Sequence, residues 1–119
     1  MDVVVIIQIV IALGILNVWV FRFGNSTQWR GGEASNMKEE FQVYGLPGWF
    51  LQVVGFLKVL CAVCLIAGIW FPALTKPAAI VLAVLMLGAI AMHVKVKDPA
   101  KKSLPALTML ILCLVVAFF

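Results

Sequence analysis

The sequence predicts an all-α, polytopic membrane protein: a four-transmembrane-helix bundle with a short amphipathic interfacial segment between helices 1 and 2, forming one domain over residues 1–119. Three observations predict it. Of 119 residues, 65% are hydrophobic and 12% charged, against about 45–50% and about 25% in a soluble domain, so too few polar residues exist to cover a water-facing surface. The apolar residues gather into four runs. At about 1.5 Å per helical residue these cross, or nearly cross, a hydrocarbon core about 30 Å thick. Lysine and arginine fall mostly between the runs, as in membrane proteins oriented by their loop charges.

The same composition excludes other classes. The net charge of +4 comes from connections, with no basic stripe or aromatic platform for nucleic acid. Cys61, Cys64 and Cys113 all lie inside apolar stretches, which sets aside a secreted disulfide scaffold. Met1-Asp2-Val3 lacks the basic start of a cleavable signal, and no small-x-small site follows the apolar run. The first run therefore reads as a retained helix.

Helix 1 is expected over residues 3–21, uncharged and interrupted mainly by Gln8 and Asn17. Arg22 to Leu46 is the polar part of the chain and opens with the loop signals Gly24-Asn25-Ser26 and Gly31-Gly32-Glu33. From Asn36, the residues Met37, Phe41 and Tyr44 recur at helical spacing opposite Lys38, Glu39 and Gln42, the pattern of a short helix lying at an interface. Gly45-Leu46-Pro47-Gly48 breaks it. Helix 2 is expected over residues 47–71, with Pro47 at its start, Trp49 and Trp70 near the two interfaces and one charge, Lys58, at its middle. A tight connection, Phe71 to Lys76, leads to Pro77 and helix 3, residues 77–93. Val94 to Ser103 carries four lysines and one aspartate, and helix 4, residues 104–119, is short by a few residues. No internal repeat of 20–50 residues is visible.

The first and third connections hold Arg22, Arg30, Lys38, Lys95, Lys97, Lys101 and Lys102, whereas the opposite side holds Lys76. The positive-inside rule then places both termini away from the cytoplasm.

Lys58 is the sharpest feature. Insertion of a charged lysine at a helix centre costs roughly 2.5–3.5 kcal/mol, so it is expected to face inward. Gly48, Gly55 and Ala62 recur every seven residues and form a small-residue seam that includes Lys58. The acids in the sequence are Asp2, Glu33, Glu39, Glu40 and Asp98. Glu39 or Glu40 is the expected partner, because the amphipathic segment that carries them folds back ahead of helix 2. A structural ion pair or a snorkelling lysine competes with a ligand-binding role. His93 ends a stripe of Ala79, Leu82, Met86, Ile90 and His93; a capping or hydrogen-bonding role competes with proton handling. Asn17 and Gln8 are expected to bond across helices, and no metal site is predicted. Cys61 and Cys64 match C-x-x-C, a candidate redox pair. In a continuous helix, however, their Cβ atoms stand about 5–6 Å apart, against about 3.5–4.5 Å in a disulfide.

The run Tyr44-Gly45-Leu46-Pro47-Gly48-Trp49, continuing to Val54-Gly55-Phe56-Leu57-Lys58-Val59-Leu60, resembles the DoxX-like family of small four-helix membrane proteins. So do Ala67-Gly68-Ile69-Trp70 and Met86-Leu87-Gly88-Ala89-Ile90-Ala91-Met92-His93. The resemblance covers nearly all of the chain after the first helix. Across the broader family the position of Lys58 is often glutamate, in a Gly-x-x-Glu pattern; lysine marks the branch this chain is similar to. The resemblance implies three divergent roles: a small subunit of a thiosulfate:quinone oxidoreductase, a helper of disulfide or cofactor maturation, and an assembly chaperone for a membrane receptor.

No nucleophile is paired with a base. The expected function is therefore a non-enzymatic accessory protein that binds another membrane protein or a lipid-like ligand, through a polar site of Lys58, Glu39, Glu40, His93 and Asn17. The alternative is the membrane subunit of a quinone- or thiol-linked oxidoreductase. The sequence requires no cofactor; the alternative brings a quinone. The expected partners are the lipid bilayer, a second membrane protein or a further copy of the chain.

Overall fold

The computed structural model describes residues 3–21, 23–24 and 30–119. Asp2, Arg22 and the Asn25-Ser26 turn signal lie outside the described residues. All regular structure in the described residues is helical, and four helical stretches are long and apolar enough to cross a membrane: Val3–Phe21, Gly48–Ala67, Pro72–Lys95 and Ala100–Phe118. Helices suit that solvent because every backbone donor and acceptor is satisfied within the segment.

α1 spans Val3–Leu16 and widens into a π-helical turn over Asn17–Phe21. α2, Met37–Val43, is the amphipathic segment, and both of its ends are built by local chemistry. At its start the Asn36 side chain accepts from Glu39 N–H at 2.8 Å, while the Glu39 carboxylate accepts from Ser35 N–H and Oγ. Such caps satisfy donors that the first turn leaves open. At its end, Leu46 N–H bonds Phe41 O and Gly45 N–H bonds Gln42 O, with Gly45 at φ +76°. This is a Schellman stop, which needs the left-handed conformation that glycine adopts at least cost.

α3 spans Gly48–Ala67, with Pro47 as an extended residue just ahead of it. A 3-10 turn, Pro72–Leu74, leads into α4, Thr75–Lys95. Pro77 therefore sits inside the first turn of α4, where its missing N–H costs nothing. A second 3-10 turn, Ala100–Ser103, precedes α5, Leu104–Phe118, and makes up part of the length that the fourth apolar run lacks.

The long helices form a ring in which α1 packs on α3 and α5, and α4 packs on α3 and α5. α1 and α4 leave one end of the bundle and finish at the other, where α2 lies and where α3 and α5 begin. The two ends differ. Between the middle of α1, the second half of α3, the first half of α4 and the second half of α5, Ile11, Ala12, Ala62, Leu65, Ala79, Leu82 and Cys113 are completely buried. There Gln8 donates to Leu65 O at 2.9 Å and lies 3.4 Å from Thr75 Oγ1, which ties α1 to both neighbours of the α3–α4 turn. Towards the other end the helices diverge around a cavity.

Candidate functional site

The cavity holds about 660 Å3, within the roughly 300–1,000 Å3 usual for small-molecule sites. α1 contributes Ile15 and Asn17, α3 contributes Val54 and Lys58, α4 contributes Leu85 and Met92, and α5 contributes Ala106 and Met109. Its walls are mostly apolar. Polar groups concentrate where α2 and the two connections of that end cover it.

Lys58 is on the inner face of α3, buried, with Nζ 5.1 Å from the centroid of the Trp19 ring. Two features of sequence allow this. The π-helical turn of α1 carries Trp19, and Gly55 lets the indole lie directly on α3, since a Cβ at Gly55 would stand 2.8 Å from Trp19 Cζ3. A helical lysine leans towards the N-terminus of its own helix, so the ammonium points to the polar end of the cavity. There it finds a ring quadrupole rather than a carboxylate. Among the described residues Lys58 makes no hydrogen bond or ion pair, so the expected pair with Glu39 or Glu40 is not formed.

Both glutamates are occupied elsewhere. Glu39 caps α2, where hydrogen bonds from the Ser35 hydroxyl and backbone hold its carboxyl below the usual range. Glu40 lines the cavity with Lys58, but its carboxylate accepts from Arg30 Nη1 at 3.0 Å and from the Tyr44 hydroxyl at 2.7 Å. Glu40 and Tyr44 stand one helical turn apart on the inward face of α2.

The end of α4 supplies the second half of the polar cap. His93 is buried, with Nδ1 2.7 Å from Asp98 Oδ2 and Nε2 3.5 Å from the Tyr44 hydroxyl oxygen. The carboxylate accepts from Nδ1–H, which orients the ring with Nε2 on the side of the Tyr44 hydroxyl and the cavity. Asp98 also accepts from Gly32 N–H at 3.0 Å and faces Lys102 at 3.7 Å. Burial pushes the Asp98 carboxyl up, but the His93 and Gly32 hydrogen bonds and the Lys102 charge outweigh it, and the group titrates below its ordinary range. Tyr44 shifts upward: burial disfavours the phenolate, and Glu40 and Asp98 repel it. Lys95 Nζ donates to Tyr44 O at 2.8 Å and Lys102 Nζ to Gly32 O, which closes the cap over the cavity mouth.

The structure thus brings Lys58, Glu40, His93 and Asn17 to one cavity and leaves Glu39 outside it. Asn17 is exposed on the cavity wall, and among the described residues its side chain has no hydrogen bond; of the two α1 amides, Gln8 makes the interhelical bond. Cys61, Cys64 and Cys113 are free thiols, and none lines the cavity. No group of three or more His, Cys, Asp or Glu among the described residues could hold a metal ion. Sequence reasoning missed Arg30, Tyr44, Asp98 and Lys102 as members of the cluster. The i, i+4 spacing of Glu40 and Tyr44 was a usable signal; the Gly32–Asp98 contact, 66 residues apart, had none.

Residues 6–118 match the DoxX-like family. The chain belongs to that family. The chain is also similar to the uncharacterized protein YdgD of Bacillus subtilis (strain 168), 34% identical over 79 residues, which span 66% of this chain and 67% of YdgD. No solved structure matches. Membership and the four apolar helices make this DoxX-like chain an integral membrane protein.

Proposed function

We propose that this DoxX-like protein is a non-enzymatic accessory protein of the membrane that holds a lipid-like ligand inside its bundle and presents it to, or assembles it with, a membrane partner. The observation that carries the reading is the mostly apolar cavity with a single buried ammonium at Lys58 and a polar cap at one end. That combination suits an amphiphile: apolar walls take a chain, and a few convergent polar groups orient a head. The cap joins α2, α4 and both connections of its end, so a ligand entering there is positioned to alter the surface a partner would meet.

The rival is a quinone-linked oxidoreductase subunit. It draws on one observation, the Tyr44–His93–Asp98 chain on the cavity wall, which would serve a ligand that exchanges protons. The three thiols lie away from that cavity, which weighs against thiol chemistry coupled to it. Purification from native membranes with lipids retained, followed by mass spectrometry, is expected to return a stoichiometric amphiphile or membrane protein. Reduction of a soluble quinone analogue by thiosulfate or a dithiol, abolished by His93→Ala, would replace the accessory reading with the rival.

The cationic end, carrying Arg30, Lys38, Lys95, Lys97, Lys101 and Lys102, is the cytoplasmic one in this reading, with both termini opposite. Labelling of a cysteine placed at Lys97 by an impermeant reagent added to intact cells would reverse it.

A further inference from the structure

Lys58 stands out among the cations on the cavity wall. Arg30 is matched by Glu40 and Lys102 by Asp98, whereas no described carboxylate comes within ion-pair range of Lys58, which is 9% exposed and lines the cavity. An ammonium held out of water with no carboxylate in contact, Glu40 acting on it only from a distance, is costly, and the face of Trp19 offsets only part of that cost. A second polar group, the Asn17 amide, lines the same space with its hydrogen-bonding capacity unspent among the described residues. The site therefore has one buried charge to balance and one amide donor available on the same wall.

We propose that the occupant is a single-chain amphiphile with a carboxylate head, a long-chain fatty acid by class, its carboxylate seated on Lys58 Nζ with the Asn17 amide as second donor. The proposal rests on the reading above that the bundle holds a lipid-like ligand, and it names that ligand's chemistry. A monoanion follows from the single unmatched charge; a phosphate monoester would bring a second negative charge beside Glu40. A single chain follows from volume. At roughly 30 Å3 for each water-sized group, 660 Å3 takes about twenty such groups, the size of one acyl chain with its head. The chain would run along Ile15, Leu85, Met86 and Met109, away from the polar cap. A neutral head such as a quinone would leave the ammonium uncompensated.

The test is equilibrium binding of radiolabelled oleic acid and, in parallel, radiolabelled oleyl alcohol to the full chain in detergent. The acid is expected to bind roughly ten- to hundredfold more tightly than the alcohol, the worth of a hydrogen bond to a charged group. Lys58→Met should bring the acid down to the level of the alcohol and leave the alcohol unchanged, and Lys58→Arg should keep the preference for the acid. Ala106→Trp, which adds volume to the α5 wall of the cavity, should abolish both. If the wild type binds acid and alcohol alike, or if Lys58→Met leaves the preference intact, the carboxylate assignment is wrong while the lipid-binding reading stands. If the wild type binds neither, or Ala106→Trp binds both as well as the wild type does, the ligand reading falls with it. Should Lys58→Met not fold, the acid-to-alcohol ratio of the wild type and of Lys58→Arg decides alone.

Discussion

The two halves of the bundle use the same four helices in opposite ways. In one half, small residues such as Ala12, Ala62 and Ala79 let the helices approach until Ile11, Leu65 and Leu82 lose all exposure. In the other, Lys58, Asn17 and His93 line a cavity that the same helices fail to fill. Association of helices in lipid depends on van der Waals contact and on bonds between polar groups, because lipid tails are as apolar as leucine. The packed half uses the first device, helped by Gln8, and the hollow half depends on the second, through the Arg30–Glu40–Tyr44 and His93–Asp98–Lys102 clusters. The packed end is thus expected to carry more of the fold's stability than the hollow one.

Removing side-chain volume should separate the halves most. Leu65→Ala, in the packed half, is expected to cost about 2–4 kcal/mol, because neighbours already in contact cannot collapse into the space left. Leu85→Ala, on the cavity wall, only enlarges an existing void and should cost less than half as much. Thermal unfolding in detergent measures both, and equal losses would show that the halves are packed alike. Adding volume gives the next largest contrast. Ala79→Leu should destabilise by about 1–3 kcal/mol through overpacking, whereas Ala89→Leu grows into the cavity and should be close to neutral in the same assay. A large cost at Ala89 would mean that the space is not open to side chains.

This division was only partly legible in the sequence. The four spans could be read because hydropathy is a local property, and α2 because Met37, Phe41 and Tyr44 keep helical spacing. The inward position of Lys58 followed from Gly55 and Ala62 on the same face. Its surroundings did not follow, since they depend on where the first connection goes: Arg30 takes Glu40, and Trp19 reaches Lys58 from a π-helical turn that no residue pattern announced. Gln8 and Asn17 looked equivalent in sequence, yet only Gln8 falls opposite an available carbonyl, Leu65 O. Periodicity reports which face a residue occupies; the partner across that face is set by tertiary approach.

The smallest effect expected is also the one that tests the polar cap directly. Asp98 joins α4 to the first connection through His93 and Gly32, and these bonds, with Lys102, hold its carboxyl below an ordinary value of 3.8. A carboxylate with a lowered folded value stabilises the fold fully above its unfolded value and loses that contribution as pH falls through the folded one. The difference in stability between the wild type and Asp98→Asn, about 1 kcal/mol, should therefore be present above pH 3.8 and should close as pH falls below it. Thermal midpoints of both proteins across that range measure it. A gap that instead persists unchanged to pH 3 would mean that the carboxylate's charge contributes nothing to the cap, leaving the hollow half held by Glu40, Tyr44 and Arg30 alone.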